Sequence, residues 1–141
     1  MRKLSSFLVV AVAAAVACSD AFKPTTENVS GHYVVDYFRT DSGGVHKDWV
    51  AAGAQLELLL SPLGDVVGHL SIPMDTTTFL ADMFGTWTLS GKTVHFTQDA
   101  DSFVRDMDWL AADKNLLSAD KTFGDVRVRV VLIRLPGPAL P

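Results

Sequence analysis

The chain has 141 residues, 12 basic against 16 acidic side chains and a single cysteine. That length holds one core. The acidic balance argues against nucleic acid as a direct partner, and one cysteine excludes an internal disulfide. The residues run from an apolar leader through a polar stretch into a long series of short, alternating segments.

Arg2 and Lys3 precede an unbroken apolar run from Phe7 to Ala17. A membrane-spanning helix needs roughly 20 apolar residues. This run is shorter and ends in small side chains, so it reads as an export signal over residues 1–17. Ala15-Val16-Ala17-Cys18 resembles a bacterial lipobox, with Ala15 standing where leucine is usual. The resemblance implies cleavage before Cys18 and acylation of its thiol, the only cysteine present. Stable attachment takes more than one acyl chain, as bacterial lipoproteins have. Ser19 in the following position implies the outer membrane if the host is Gram-negative. Cleavage leaves 124 residues with a net charge of −6, which argues against anionic lipid as a direct partner. Residues 18–30 are polar and read as a flexible tether. Asn28-Val29-Ser30 matches a glycosylation acceptor by chance.

From Gly31 onward the punctuation is that of an all-β domain over residues 31–135, with a tail at 136–141. Gly31 to Thr40 is a first strand rich in β-branched and aromatic residues. Asp41-Ser42-Gly43-Gly44 breaks it, and Val45 to Gly53 is expected to be a connection with one helical turn around Trp49. Ala54 to Ser61 sets Leu56, Leu58 and Leu60 on one face. Ser61-Pro62-Leu63-Gly64 turns the chain. Asp65 to Pro73 alternates Val66, Gly68, Leu70 and Ile72 against Val67, His69 and Ser71. Met74 to Phe84 fits either a short helix or a loop running into a strand at about Phe79. The second is preferred.

Trp87 with Leu89 and Val94 with Phe96 share one face across the Ser90-Gly91 turn. A strand from Asp106 to Ala112 pairs Met107, Trp109 and Ala111. Leu116 to Phe123 and Val126 to Leu135 form the last hairpin, the final strand alternating Val126, Val128, Val130 and Leu132 against Arg127 and Arg129. Eight strands in consecutive hairpins with one apolar face predict an eight-stranded antiparallel up-and-down barrel. An open sandwich is the alternative.

Gly31-His32-Tyr33, the hairpin Gly85-Thr86-Trp87-Thr88-Leu89-Ser90-Gly91 with Val94-His95-Phe96, and the closing Val130-Val131-Leu132-Ile133-Arg134 resemble, in that order, a bacterial lipocalin-like (calycin-type) lipoprotein. Tyr33 stands where lipocalins have tryptophan. The resemblance spans residues 31–135. It implies an eight-stranded cup for a small apolar ligand and Arg134 stacked on Tyr33 by a cation–π contact. Many small members are filled instead.

Leu58, Leu70, Trp87, Phe96, Trp109 and Val130 are the candidates for lining such a cavity, and a packed core is the competing reading. His32, His46, His69 and His95 have no metal-ligand spacing, so no metal and no cofactor are expected. Asp99, Asp101, Asp106 and Asp108 crowd one connection, but Phe103 and Val104 stand where a calcium loop needs a ligand and a glycine. Nucleophile-elbow and phosphate-loop motifs are missing, and no enzyme is expected. Two functions lead from the sequence, with an enzyme or inhibitor built on the same barrel a distant third. One is a lipid-anchored binder of a small apolar ligand. The other is a filled, lipid-anchored barrel with a structural or protein-interaction role. A monomer is expected in either case.

Overall fold

The computed structural model describes residues 21–137. Its elements are a one-turn helix α1 (Thr26–Val29) and nine strands: β1 (Gly31–Ser42), β2 (Val45–Asp48), β3 (Gln55–Leu60), β4 (Asp65–Pro73), β5 (Thr78–Ser90), β6 (Thr93–Gln98), β7 (Trp109–Asp113), β8 (Leu116–Phe123) and β9 (Val126–Arg134). All pairings are antiparallel and, β2 aside, neighbours in the chain are neighbours in the sheet. β9 returns to β1 in register from Tyr33↔Arg134 to Ser42↔Val126, with one bulge between Val35 and Tyr37. That pairing closes eight strands into a barrel and removes the open edges.

Alternation drives the closure. Leu56, Leu58 and Leu60 on β3, Leu70 on β4, Met83 and Trp87 on β5, and Val94 and Phe96 on β6 are buried. Their sequence neighbours Gln55, Glu57, Val67, His69, Phe84 and His95 are exposed. Burying such side chains stabilises a fold by about 1.5–3 kcal/mol each, enough in sum to hold the register that keeps them inside.

Three expectations change. Val45 to Asp48, expected within a connection, is the extra strand β2, folded back on the end of β1 outside the ring. The glycine pair Gly43-Gly44 makes a tight hairpin there, and the strand's four residues are all exposed, so no apolar alternation announced it. The single turn around Trp49 is present, closed by the Ala52 amide on the Asp48 carbonyl at 3.2 Å.

The strand expected from Asp106 begins only at Trp109. Residues 99–108 instead fold over one end of the barrel because Val104 and Met107 are apolar enough to be buried there, at 0% and 1% exposure. Finally, the tether expected over residues 18–30 is structured in its described part. Phe22 packs against the core. Thr25 and Asn28 form a reciprocal capping box on α1, which satisfies two otherwise orphaned donors. The preferred reading of Met74 to Phe84 agrees with β5, which begins at Thr78.

Both ends of the barrel are stoppered. At the N-terminal end Val29 is buried and its carbonyl accepts from the Tyr33 hydroxyl at 2.6 Å. At the other end Phe103 lies against Phe38 at 5.1 Å, and Phe38 stacks on Trp49 at 6.1 Å.

Candidate functional site

The barrel interior and its mouth under residues 99–108 are where a guest would have to sit. The six candidate lining residues do come together. Leu58, Leu70, Trp87, Phe96, Trp109 and Val130 are all at most 3% exposed and belong to one core cluster. Phe96 and Trp109 meet edge to face at 6.1 Å, and the Trp109 indole donates to the Val104 carbonyl at 3.0 Å. This contact ties the mouth connection to the barrel wall. The Trp87 indole similarly donates to the Ser61 carbonyl at 2.8 Å.

Two polar side chains interrupt the apolar mouth. Ser102 is buried and its hydroxyl donates to the Met83 sulfur at 3.4 Å. Gln98 is 6% exposed, and neither its amide nitrogen nor its amide oxygen has a protein partner. The alternation Val94, Phe96, Gln98 points its side chain inward. That signal was present in the sequence, since Gln98 extends the inward face by one more step. A buried, unpaired polar group costs about 1–3 kcal/mol unless water or a ligand satisfies it. Gln98→Met is therefore expected to raise the thermal midpoint, on the order of 4 °C for each kcal/mol gained. A fall in the midpoint by scanning calorimetry would show that the amide has a partner in solution.

Tyr33 and Arg134 are cross-strand neighbours, but the expected cation–π stack is not formed. The Arg134 guanidinium donates instead to the Asn28 carbonyl at 2.7 Å and reaches the Lys114 carbonyl at 3.4 Å. These end-of-element carbonyls have no strand partner, so a charged donor is better used on them than over a ring. Burial pushes the Tyr33 hydroxyl pKa up, partly offset by the Arg134 charge. Gly31 has a physical reason to be glycine: a β-carbon there would lie 2.5 Å from the Arg134 Nε.

On the outer face every histidine has a carboxylate partner. His32 pairs with Glu57 and His46 with Asp41, while His69 meets Asp82 at 2.9 Å and His95 meets Asp108 at 3.1 Å. Among the described residues no group of three or more such side chains could hold a metal. In the acidic connection Arg105 is 2.8 Å from Asp101 and 3.5 Å from Asp106.

Asp41 is the most strongly engaged carboxylate. It accepts from His46, from Arg129 at 2.6 Å and from Arg39 at 3.2 Å. The His46 hydrogen bond, with the two guanidinium groups behind it, lowers its pKa from 3.8 to about 2. A folded-state value below the unfolded one stabilises the fold above the unfolded value, and that contribution is lost as protons bind. Thermal midpoints should therefore fall as pH drops from 3.8 towards 2, and Asp41→Asn should flatten that part of the profile.

Clefts among the described residues include an open groove of about 500 Å³ on the outer wall, flanked by Tyr37, Leu110, Ser118, Asp120, Arg129 and Val131. Of the six candidate lining residues only Val130 borders it. No described helix is long and apolar enough to cross a membrane, which leaves strands untested in that respect. Cys18 and Ser19 lie outside the described residues. No protein-family model matches the chain, and no curated protein and no solved structure matches it either.

Proposed function

We propose that this chain is an exported, lipid-anchored protein of the bacterial cell envelope, held by acyl chains on Cys18, whose lipocalin-like barrel is a filled body that works through its outer surface. It is a monomer with no catalytic role. It belongs to the outer membrane if the host is Gram-negative. The observation that carries the reading of the barrel is its interior: all six candidate lining residues are packed into one cluster beneath stoppers at both ends. A container needs a pocket of roughly 300–1,000 Å³ with a few polar groups; the burial of all six side chains against one another and the stoppers at both ends support a filled interior instead. The anchor rests on Ala15-Val16-Ala17-Cys18 following an apolar run of export length.

Cys18→Ser should move the protein from the membrane pellet to the soluble envelope fraction and abolish incorporation of labelled palmitate. A variant that stays with the membranes and still takes label overturns the anchor.

A second reading is favoured by Gln98 alone. Its unpaired amide under the 99–108 connection would suit the polar end of a small, otherwise apolar ligand. Native mass spectrometry of protein purified from its host separates the two. The bare polypeptide mass supports the filled barrel, and a retained small molecule that Gln98→Met loses supports the ligand.

A further inference from the structure

The antiparallel order sends alternate connections to opposite ends of the barrel. α1 shares its end with the turn Ser61–Gly64, with the β5–β6 and β7–β8 turns, and with the end of β9. Direct contacts join these pieces: Arg134 bridges the Asn28 and Lys114 carbonyls. The connections at this end carry Lys23, Lys92 and Lys114 against Glu27. Among the described residues none of the three lysines is in an ion pair. Two further acids, Asp65 and Asp113, sit at strand ends here, and the Asp113 carboxylate accepts the Asn115 amide at 2.8 Å. The opposite end is acidic. Its connections hold Asp75, Asp99, Asp101, Asp106, Asp108 and Asp125 against Arg105. The net charge of the chain hides this separation.

Two more features mark the α1 end. Leu63, at the tip of its turn, is 88% exposed. Phe22, which packs on the core, lies only four residues after Cys18. Four residues span at most about 14 Å even fully extended, whereas a strand of nine residues such as β9 is about 30 Å long. If Cys18 is acylated, the leash is too short to turn the acidic end to the bilayer.

We propose that the α1 end of the barrel is a membrane-docking face for an anionic bilayer, with Lys23, Lys92 and Lys114 at the headgroups and Leu63 inserted among them. This rests on the acylation of Cys18 proposed above. The lipid leash, at most about 14 Å long, lets the lysines come within a Debye length of the surface, roughly 8–10 Å, where their attraction to anionic headgroups is felt. The acidic end then points away from the membrane and is repelled by it. The docked barrel stands on end, with its outer wall and the groove beside Tyr37 and Leu110 free.

The test uses the acylated protein in vesicles of equimolar phosphatidylglycerol and phosphatidylcholine, with a fluorophore on Leu63→Cys or on Asp75→Cys. The acylated Cys18 thiol cannot react with the label. Headgroup-linked quencher should quench the probe at 63 and spare the probe at 75. Pure phosphatidylcholine vesicles should weaken the quenching at 63 while the short leash still spares 75. So should K23Q/K92Q/K114Q, each lysine being worth about fivefold in the docking equilibrium. Equal quenching at both sites, stronger quenching at 75, or no dependence on anionic lipid or the lysines overturns the docking face while leaving the anchor intact. Absence of acyl mass on Cys18 overturns the anchor, and the docking face with it.

Discussion

Trp109→Ala is expected to cost about 3–5 kcal/mol, the range for deleting a large buried aromatic, and to lower the thermal midpoint on the order of 15 °C. Trp109 is fully buried, meets Phe96 edge to face at 6.1 Å and donates to the Val104 carbonyl. It also opens the weakest stretch of the wall. β6 pairs with β7 only through Thr93↔Leu110 and Val94↔Trp109, and β7 pairs with β8 across an irregular register. The indole therefore compensates for missing ladder hydrogen bonds by packing and by holding residues 99–108 over the mouth. Its removal leaves a cavity and an unpaired carbonyl together, so the mouth should open and bind a hydrophobic dye before the barrel melts. Trp109→Phe separates the two effects. It refills most of the volume but leaves the Val104 carbonyl without its donor, a residual cost of about 1–3 kcal/mol. Urea denaturation of both variants measures the split, and a cost below about 1 kcal/mol for the alanine variant would show that β7 is held by its neighbours instead.

The barrel was legible in the sequence because buried side chains recur at every second position along most strands, even where the outward neighbours Leu59, Val67, Phe84 and Val131 are themselves apolar. Leu56, Leu58 and Leu60 against Gln55 and Glu57, or Val128, Val130 and Leu132 against Arg127 and Arg129, leave one register that buries the apolar set. Segments that escape this logic are the ones whose structure departs from the sequence pattern. β2 is exposed on all four residues and exists because the Gly43-Gly44 turn returns the chain beside β1, a tertiary cause with no periodic trace. Met107 matches the parity of Trp109 and Ala111, yet it packs from a connection, since a stopper needs apolar side chains without needing a strand. The capping box at Thr25 and Asn28 was written in the residues but masked by the polar composition around it. Function was less legible still. An inward leucine reads the same whether it lines a void or fills one, and the charge separation between the two ends appears only when the connections are sorted by topology.

The same geometry gives Gly85 an outsized role, and Gly85→Ala is expected to cost about 3 kcal/mol or more, at the upper end of what overpacking does. Gly85 sits on β5 between the inward Met83 and Trp87 and pairs with Gln98. A β-carbon there would fall on the Thr97 carbonyl oxygen and 3.1 Å from the Gln98 Cα. Both are backbone atoms of the paired strand, so no rotamer change relieves the clash and β6 must move away from β5. Gly68 is a partial contrast. Its added carbon would meet the Leu58 Cδ2 at 2.5 Å and the Met83 Cε at 3.2 Å, which are flexible ends, as well as the Glu57 carbonyl at 2.7 Å. Gly91 is the other extreme, with nothing within 4 Å and only its φ of 60° to oppose an alanine, a cost of about 1–2 kcal/mol. The expected order of destabilisation is therefore Gly85, then Gly68, then Gly91, read from midpoints in guanidinium. Hydrogen exchange adds a positional check. The Gly85 variant should lose protection along the upper half of β6 and the mouth it supports, because that is where the strands must part. Uniform loss over the barrel would mean that the close approach at Gly85 is not a local constraint but one the whole ring shares.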